Sequence, residues 1–401
     1  MLVAAVSCGS ANAPESATVG TQTDLESLLG PTNPATGSSI KIGLVGDGKT
    51  MGIDQTPMED AFKATVQYAN ERLGGLNGHK IEVDFCVTNN TPSDATTCGV
   101  QMVNDGVAAV LVPVSAQDGA IYKAIAESGI PYIGFAAGSP DVILGANAFL
   151  LVNPVAALAA PAKIAKDDGL EKAGIILVDV PAATGSIDAL VQPIYRKAGV
   201  DLELVKVSPQ TADMTPQIQQ ALSGGVNQFL VLGGDSFNAQ AIKTLKDLGF
   251  DGKILLATAP SKAIADVVPG GLQGVLYIST ATTDPNDREV QRFDAVMKTY
   301  MRDNEPNAQS AWSYSLVTAL LDALRGNESA IDAASVRSAF GAMPKALPVP
   351  LGGGLTYQCG AKVVSFLSSV CTKNTLLTTL DAEGNGGTYE QLDLTEYMTM
   401  G

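Results

Sequence analysis

One stretch limits the possible folds more than any other. Val103 to Pro140 reads VNDGVAAVLVPVSAQDGAIYKAIAESGIPYIGFAAGSP. Ala108–Val112 is a short continuous apolar run, the pattern of a parallel strand buried on both faces. Gly119–Glu127 carries Ile121, Ala124 and Ile125 at helical spacing and stops at Gly129. Ile130–Ile133 begins another strand. Both strands end in small, polar loops, Ser115-Ala116-Gln117 and Ala136-Ala137-Gly138-Ser139. The crevice of an open α/β sheet lies at the carboxyl ends of its strands, where free backbone N–H groups favour oxygen-rich groups. The stretch therefore reads as half of a small-molecule site.

The alternation extends in both directions. Before it come strand Ile40–Val45, a helix from Pro57 to about Arg72, strand Lys80–Cys86 and a helix opening at Thr91-Pro92. After strand Ala148–Val152 the pattern restarts. Helices Val155–Lys166, Ser186–Ala198, Met214–Leu222 and Phe237–Leu248 alternate with strands Gly174–Val178, Leu202–Val207, Gln228–Leu232, Lys253–Ala257 and Gly274–Ser279. The expected fold class is α/β, with two lobes that are each a doubly wound parallel sheet. Amphipathic helices Arg288–Arg302 and Ser313–Arg325, a shorter helix near Ala334–Phe340 and a strand-and-turn tail from Gly352 must pack back onto these lobes.

Charge excludes some partners. With 25 Lys+Arg against 41 Asp+Glu, the net charge of −16 argues against nucleic acid and against an anionic membrane surface. No apolar run reaches membrane-spanning length; Ala148–Ala165 is broken by Asn153, Pro154 and Pro161. Four of the 5 cysteines form two local pairs, Cys86 with Cys98 and Cys359 with Cys371. Local even pairs fit disulfides in an oxidising compartment; the competing reading is four buried thiols in a cytosolic protein. With 1 His in the chain, a Cys/His zinc site is disfavoured, and neither a metal nor another cofactor is expected. Cys8 follows the apolar MLVAAVS and precedes residues rich in Ser, Ala, Thr, Pro and Gly. Residues 1–8 look like the remnant of a bacterial lipoprotein signal with Cys8 acylated, and 9–39 like a flexible tether. That makes a lipid anchor the only membrane contact. An ordinary disordered N-terminus is the alternative.

Gly43–Thr50, GLVGDGKT, satisfies the phosphate-loop pattern, and Ile175–Asp179 resembles the aspartate-ending strand of nucleotide hydrolases. The context rejects it, because Gly43 lies inside a strand and Gly52 and Pro57 oppose a helix starting at Lys49. Serine hydrolysis needs a base beside the nucleophile, yet His79 lies in a turn at the opposite end of the sheet from Ser115. Asp167-Asp168 and Asp251 read as solvated surface. Binding, not catalysis, is expected.

GGLNGHKIEV (Gly74–Val83), the Cys-to-Cys segment ending in VNDGV, ESGIPYI (Glu127–Ile133) and FAAGSP (Phe135–Pro140) occur in this order. As an ordered set they resemble the type I periplasmic solute-binding proteins of the branched-chain amino acid transporter family. The resemblance covers about Ile40 to the C-terminus. It implies two lobes joined by three crossovers, closing on solute like a hinge and handing it to an ABC permease. The crossovers fall near Asn153–Val155, Ala281–Asp284 and Leu347–Leu351. Lobe one is then 40–154 plus 283–348, and lobe two 155–282 plus 349–401. A monomer is implied, outside the cytoplasm. A sensory receptor module of the same fold is the competing class.

By the same resemblance, Ser115 falls on a serine that holds the ligand carboxylate, with Ala136 and Gly138 on a second loop. Gly138 stands where a threonine is usual, so Ser139 is the candidate for the missing hydroxyl. In the second lobe, the loop Ala257–Lys262, which includes Thr258, lacks the acid that faces an α-ammonium. Asp235 either replaces that acid or caps the helix at Phe237. Thr184 stands where an aromatic is usual. Trp312 and Tyr314 begin a helix near the hinge; one touches ligand, or both pack in the core.

Overall fold

The computed structural model describes residues 22–50, 53–179, 191–208, 211, 213–327, 330–360, 362–364 and 367–398. Cys8 and Thr184 lie outside them. In chain order the first half runs α1 (Gln22–Leu29), β1 (Gly37–Gly46), β2 (Lys49–Thr50), β3 (Ile53–Asp54), α2 (Thr56–Arg72), β4 (His79–Val87), α3 (Pro92–Asp105), β5 (Val110–Val112), α4 (Asp118–Ile125), β6 (Tyr132–Gly134), α5 (Pro140–Ile143), β7 (Ala148–Leu150) and α6 (Ala156–Asp167). Next come β8 (Lys172–Val178), helical residues 191–198 (α7), β9 (Asp201–Val207), α8 (Thr215–Ser223), β10 (Gln228–Leu232), α9 (Asp235–Asp247), β11 (Lys253–Leu256), α10 (Lys262–Val267) and β12 (Leu276–Ser279). The last part holds α11 (Arg288–Tyr300), α12 (Ala308–Leu324), α13 (Ala333–Gly341), β13 (Leu347–Pro348), β14 (Thr356–Tyr357), β15 (Thr375–Thr379) and β16 (Glu390–Leu392).

Two sheets carry the two lobes. The first has order β4-β1-β5-β6-β7, all parallel. The second has order β9-β8-β10-β11-β12, also parallel, extended by antiparallel β15 and β16. Each parallel part repeats one winding, so the order reverses between β1 and β5 and again between β8 and β10. Strand residues Val110, Leu111 and Val112 are fully buried, as a continuous apolar run between two helix layers requires. The described cysteines form two disulfides, Cys86–Cys98 and Cys359–Cys371.

Two sequence expectations need correction. The tether was expected to reach Ser39, but α1 is ordered against the first lobe. Leu25, Leu28 and Leu29 sit at helical spacing and pack in the cluster of Tyr68, Tyr300 and Tyr314. Arg72 grips both oxygens of Glu26 at 2.7 and 3.1 Å, and Tyr68 donates to the Leu29 carbonyl at 3.1 Å. These three leucines supply the buried face that the surrounding Ser/Thr/Gly/Pro-rich composition conceals.

The last crossing also comes later than Leu347–Leu351. Val349, Leu355, Tyr357, Cys359 and Cys371 belong to the first lobe's core. Tyr357 donates to the Ala319 carbonyl at 2.9 Å, and Cys371 N–H donates to the Leu150 carbonyl at 3.0 Å beside the first sheet. The chain joins the second sheet only at Thr375. Val349, Leu355, Tyr357, Cys359 and Cys371 thus bury in the first lobe, although the nearby glycines read as a crossover, while Val364, Leu367 and Val370 already pack with α6 and β8 of the second.

Candidate functional site

The reversal of order in the first sheet places the ends of β1 and β5 side by side, and the two loops meet through one carboxylate. Asp47 is fully buried. Its Oδ1 accepts from the Ser115 and Thr88 hydroxyls, each at 2.6 Å, and its Oδ2 from the Ala116 N–H at 2.7 Å. Its own N–H donates to Gln55 Oε1 at 2.8 Å. The Ser115 hydroxyl accepts in turn from the Gln117 N–H at 2.9 Å. Charge-assisted bonds of this kind are stronger than neutral ones and fix the loop conformation.

The backbone around Asp47 needs its glycines. A Cβ on Gly46 would stand 2.6 Å from Glu59 Oε1, and Gly48 has φ +70°. Glu59, on α2, is buried and accepts from the Gly48 N–H at 3.0 Å. Burial raises its pKa to about 6, against the lowering effect of that N–H and of Lys63.

The loop after β6 is organised by a second carboxylate. Asp118, the first residue of α4, is buried and its Oδ2 accepts from the Gly138 and Ser139 N–H groups at 2.7 and 3.2 Å. The Ser139 hydroxyl accepts from the Asp141 N–H at 3.2 Å and caps α5. A groove of about 460 Å³ opens beside these loops, lined among others by Ala116, Gln117, Asp118, Gly119, Ser139 and Asp141. Ser115 itself is buried, whereas Ala116 and Gly138 are exposed and Ala136 is half-buried. The accessible lining of this edge is therefore small side chains and backbone.

In the second lobe, Asp235 is exposed and does not cap at Phe237. It is the first residue of α9, and its Oδ2 accepts from the Ser261 hydroxyl at 2.6 Å. Ser261 in turn caps α10 by accepting from the Ile264 N–H. Thr258 is half-buried, and its hydroxyl accepts from Asn238 Nδ2 at 2.8 Å. Asp235 and Thr258 thus follow neighbouring strands, β10 and β11.

Tyr314 is a correction. It is buried, edge-on to Phe293 at 5.4 Å, in the cluster behind α2 and α11. Trp312 is the aromatic near the site: half-buried, it stacks on Phe135 at 5.6 Å and packs against the cluster that also takes in Ala136. Helical spacing alone separates the two, since a step of two residues turns a side chain to the other side of α12.

Asp47, Thr88, Asp118 and Asn238 were not singled out from the sequence. Asp47 directly follows an apolar strand, which is a usable signal, but its partners are 41 and 68 residues away. The phosphate-loop pattern around it is broken as expected: Gly43 is within β1, and Lys49 lies in the β2–β3 ribbon, paired with Asp54 at 2.6 Å. His79 begins β4, far along the strand from the Ser115 end, and its ring contacts Ser38. Among the described residues no group of three or more His, Cys, Asp or Glu could hold a metal ion, and no helix is long and apolar enough to cross a membrane.

A family model described as periplasmic binding protein matches residues 39–363. No curated protein matches the chain. Solved structures do. An ABC transporter substrate-binding protein from Desulfitobacterium hafniense, in complex with Leu, superposes with a TM-score of 0.68 at 15% identity, over 88% of this chain and 100% of that one. The branched-chain amino acid transporter substrate-binding protein LivJ from Streptococcus pneumoniae, in complex with isoleucine, gives 0.66 at 16% identity over 88% and 99%. A fatty acid ABC transporter substrate-binding protein from Thermomonospora curvata gives 0.68 at 16% identity over 91% and 94%. At such identities the likeness establishes a shared fold.

Proposed function

The chain belongs to the periplasmic binding protein family, and from that premise we propose that it is the extracytoplasmic solute-binding protein of an ABC importer. A small solute sits between the lobes, at the loops after β1, β5 and β6 on one side and after β10 and β11 on the other. Hinge closure traps it, and the closed form docks on a membrane permease. The observation that carries this reading is the doubled winding. Both sheets reverse order beside their first strand, and polar residues follow the strands there, Asp47 and Ser115 after β1 and β5, and Asp235 after β10 with Thr258 after its neighbour β11. Leucine, isoleucine and fatty acid binders share the fold, so amino-acid-like and apolar-tailed solutes are the first to test.

The anchoring part of the reading rests on Cys8. Acylation at Cys8 would hold the protein, a monomer in this reading, on the outer side of the cell membrane, with α1 fastened to lobe one. Incorporation of an alkyne fatty acid that is lost in Cys8→Ser tests the anchor.

Solute binding is tested by thermal shift against branched-chain and polar amino acids, amides, amines, alcohols and apolar acids. A solute at a hundred times its dissociation constant adds about 2.7 kcal/mol of stability. A shift with saturable binding supports the reading; indifference to every class would sink it.

A further inference from the structure

Resting on the solute-binding reading, the first lobe specifies what kind of solute it accepts. The N–H and hydroxyl groups at the carboxyl edge of this sheet are those a solute carboxylate would need. In this protein six of them are already occupied. The Ser115 hydroxyl and the Ala116 N–H serve Asp47, at 2.6 and 2.7 Å. The Gly138 and Ser139 N–H groups serve Asp118, at 2.7 and 3.2 Å. The Gly48 N–H serves Glu59, and the Ala136 N–H donates to the Pro113 carbonyl at 3.3 Å. Three buried carboxyl groups thus sit where three successive loops would otherwise receive an anion.

A solute carboxylate could use these donors only by displacing the acceptor that each already serves. The displaced group would stay buried without its donors, which is strongly unfavourable. Nor do the nearby lysines compensate: Lys49 is paired with Asp54 and Lys123 with Asp141, at 2.6 and 2.8 Å. In the second lobe, too, the donors after β10 and β11 are engaged within the protein. Asn238 is fully buried and gives both amide hydrogens away, to the Gly233 carbonyl and to Thr258, and its Oδ1 acceptor has no partner. Asp235 adds an exposed carboxylate in the adjoining loop.

We infer that the solute presents hydrogen-bond donors, not a carboxylate, to the first lobe: a neutral alcohol or amide, or an amine. Asp47 and Asp118 are the residues that determine this specificity, by holding the donors that an anion would use.

The test is a calorimetric and thermal-shift comparison on the full chain with five probes that share an isobutyl tail: isoamyl alcohol, isovaleramide, isoamylamine, isovalerate and L-leucine. The expected result is binding of at least one of the first three, with isovalerate and leucine weaker by tenfold or more. Equal or tighter binding of isovalerate or leucine, lost in Ser115→Ala, overturns the inference and leaves the solute site standing. Silence from all five overturns the inference and counts against the site as well. An aspartate that excludes anions should also relax when neutralised. The Asp118→Asn protein, if folded by circular dichroism, should narrow the gap between isovalerate and isovaleramide; an unchanged gap removes Asp118 from the argument.

Discussion

The Ser115 hydroxyl donates to Asp47 Oδ1 at 2.6 Å, across the point where the order of the first sheet reverses. The bond joins loops 68 residues apart in the chain. Asp47 is acceptor for three donors, so the cost of altering it depends on how many are orphaned. Ser115→Ala removes one donor, leaves two, and takes the acceptor from the half-buried Gln117 N–H, and should cost about 1–2 kcal/mol. Asp47→Asn sets an NH₂ against one of the donors and should cost about 2–3 kcal/mol. Chemical denaturation of both variants checks the order. Equal losses would mean that Asp47 is not the centre of the loop pair.

Glu59 makes stability depend on pH in an unusual direction. Its pKa is raised by burial to about 6, from an ordinary 4.5. The folded state therefore binds a proton more tightly than the unfolded chain does. The stabilisation is complete below the unfolded value and is lost as pH rises through about 6. Glu59→Gln removes the titration but keeps an acceptor for the Gly48 N–H. The stability difference, variant minus wild type, should grow by about 1.5 kcal/mol between pH 4.5 and 7.5. Unfolding curves at the two pH values decide it, and a difference independent of pH would show that Glu59 titrates normally.

These residues also mark how far the sequence could be read. Both sheets and their winding were legible, because buried parallel strands are short apolar runs and the helices between them keep their period. Ser115 was legible as a residue at a strand end. Its partner Asp47 was not, because pairing it with Ser115 requires knowing that β1 lies beside β5. The donors of the Gly138 loop looked free for the same reason: Asp118 stands just before the helix that the spacing starts at Gly119, yet it folds back to accept them. Tyr314 and Trp312 were indistinguishable as types and were separated only by the face of α12 that each occupies.

The two disulfides should not contribute equally. Each closes a loop with a sequence separation of 12, worth roughly 3 kcal/mol in the chain-entropy model. Cys359 and Cys371 are both fully buried in the first lobe's core, whereas Cys86 is only half-buried. Replacing both partners by Ala adds a cavity cost at the buried pair. The Cys359/Cys371 double variant should therefore have the lower urea midpoint. A lower midpoint for the Cys86/Cys98 variant would contradict this ranking.

Leu351 links the second crossing to the first lobe in a backbone conformation that leucine rarely adopts. Its φ is +58°, and its carbonyl accepts from the Thr282 N–H at 2.8 Å. Its side chain is buried in the cluster of α1, α2 and α11, so packing holds the strained backbone in place. Two effects oppose each other when it is truncated. Leu351→Ala loses the packing and keeps the strain, and should cost about 2–4 kcal/mol. Leu351→Gly loses the same packing but relieves a left-handed strain of about 1 kcal/mol. Glycine should thus be the less damaging replacement by about 1 kcal/mol, the reverse of the order at an ordinary backbone position. Denaturation of the two variants side by side tests the order directly. If alanine proves the milder change, the left-handed conformation at Leu351 is not strained, and the crossing is held by packing alone.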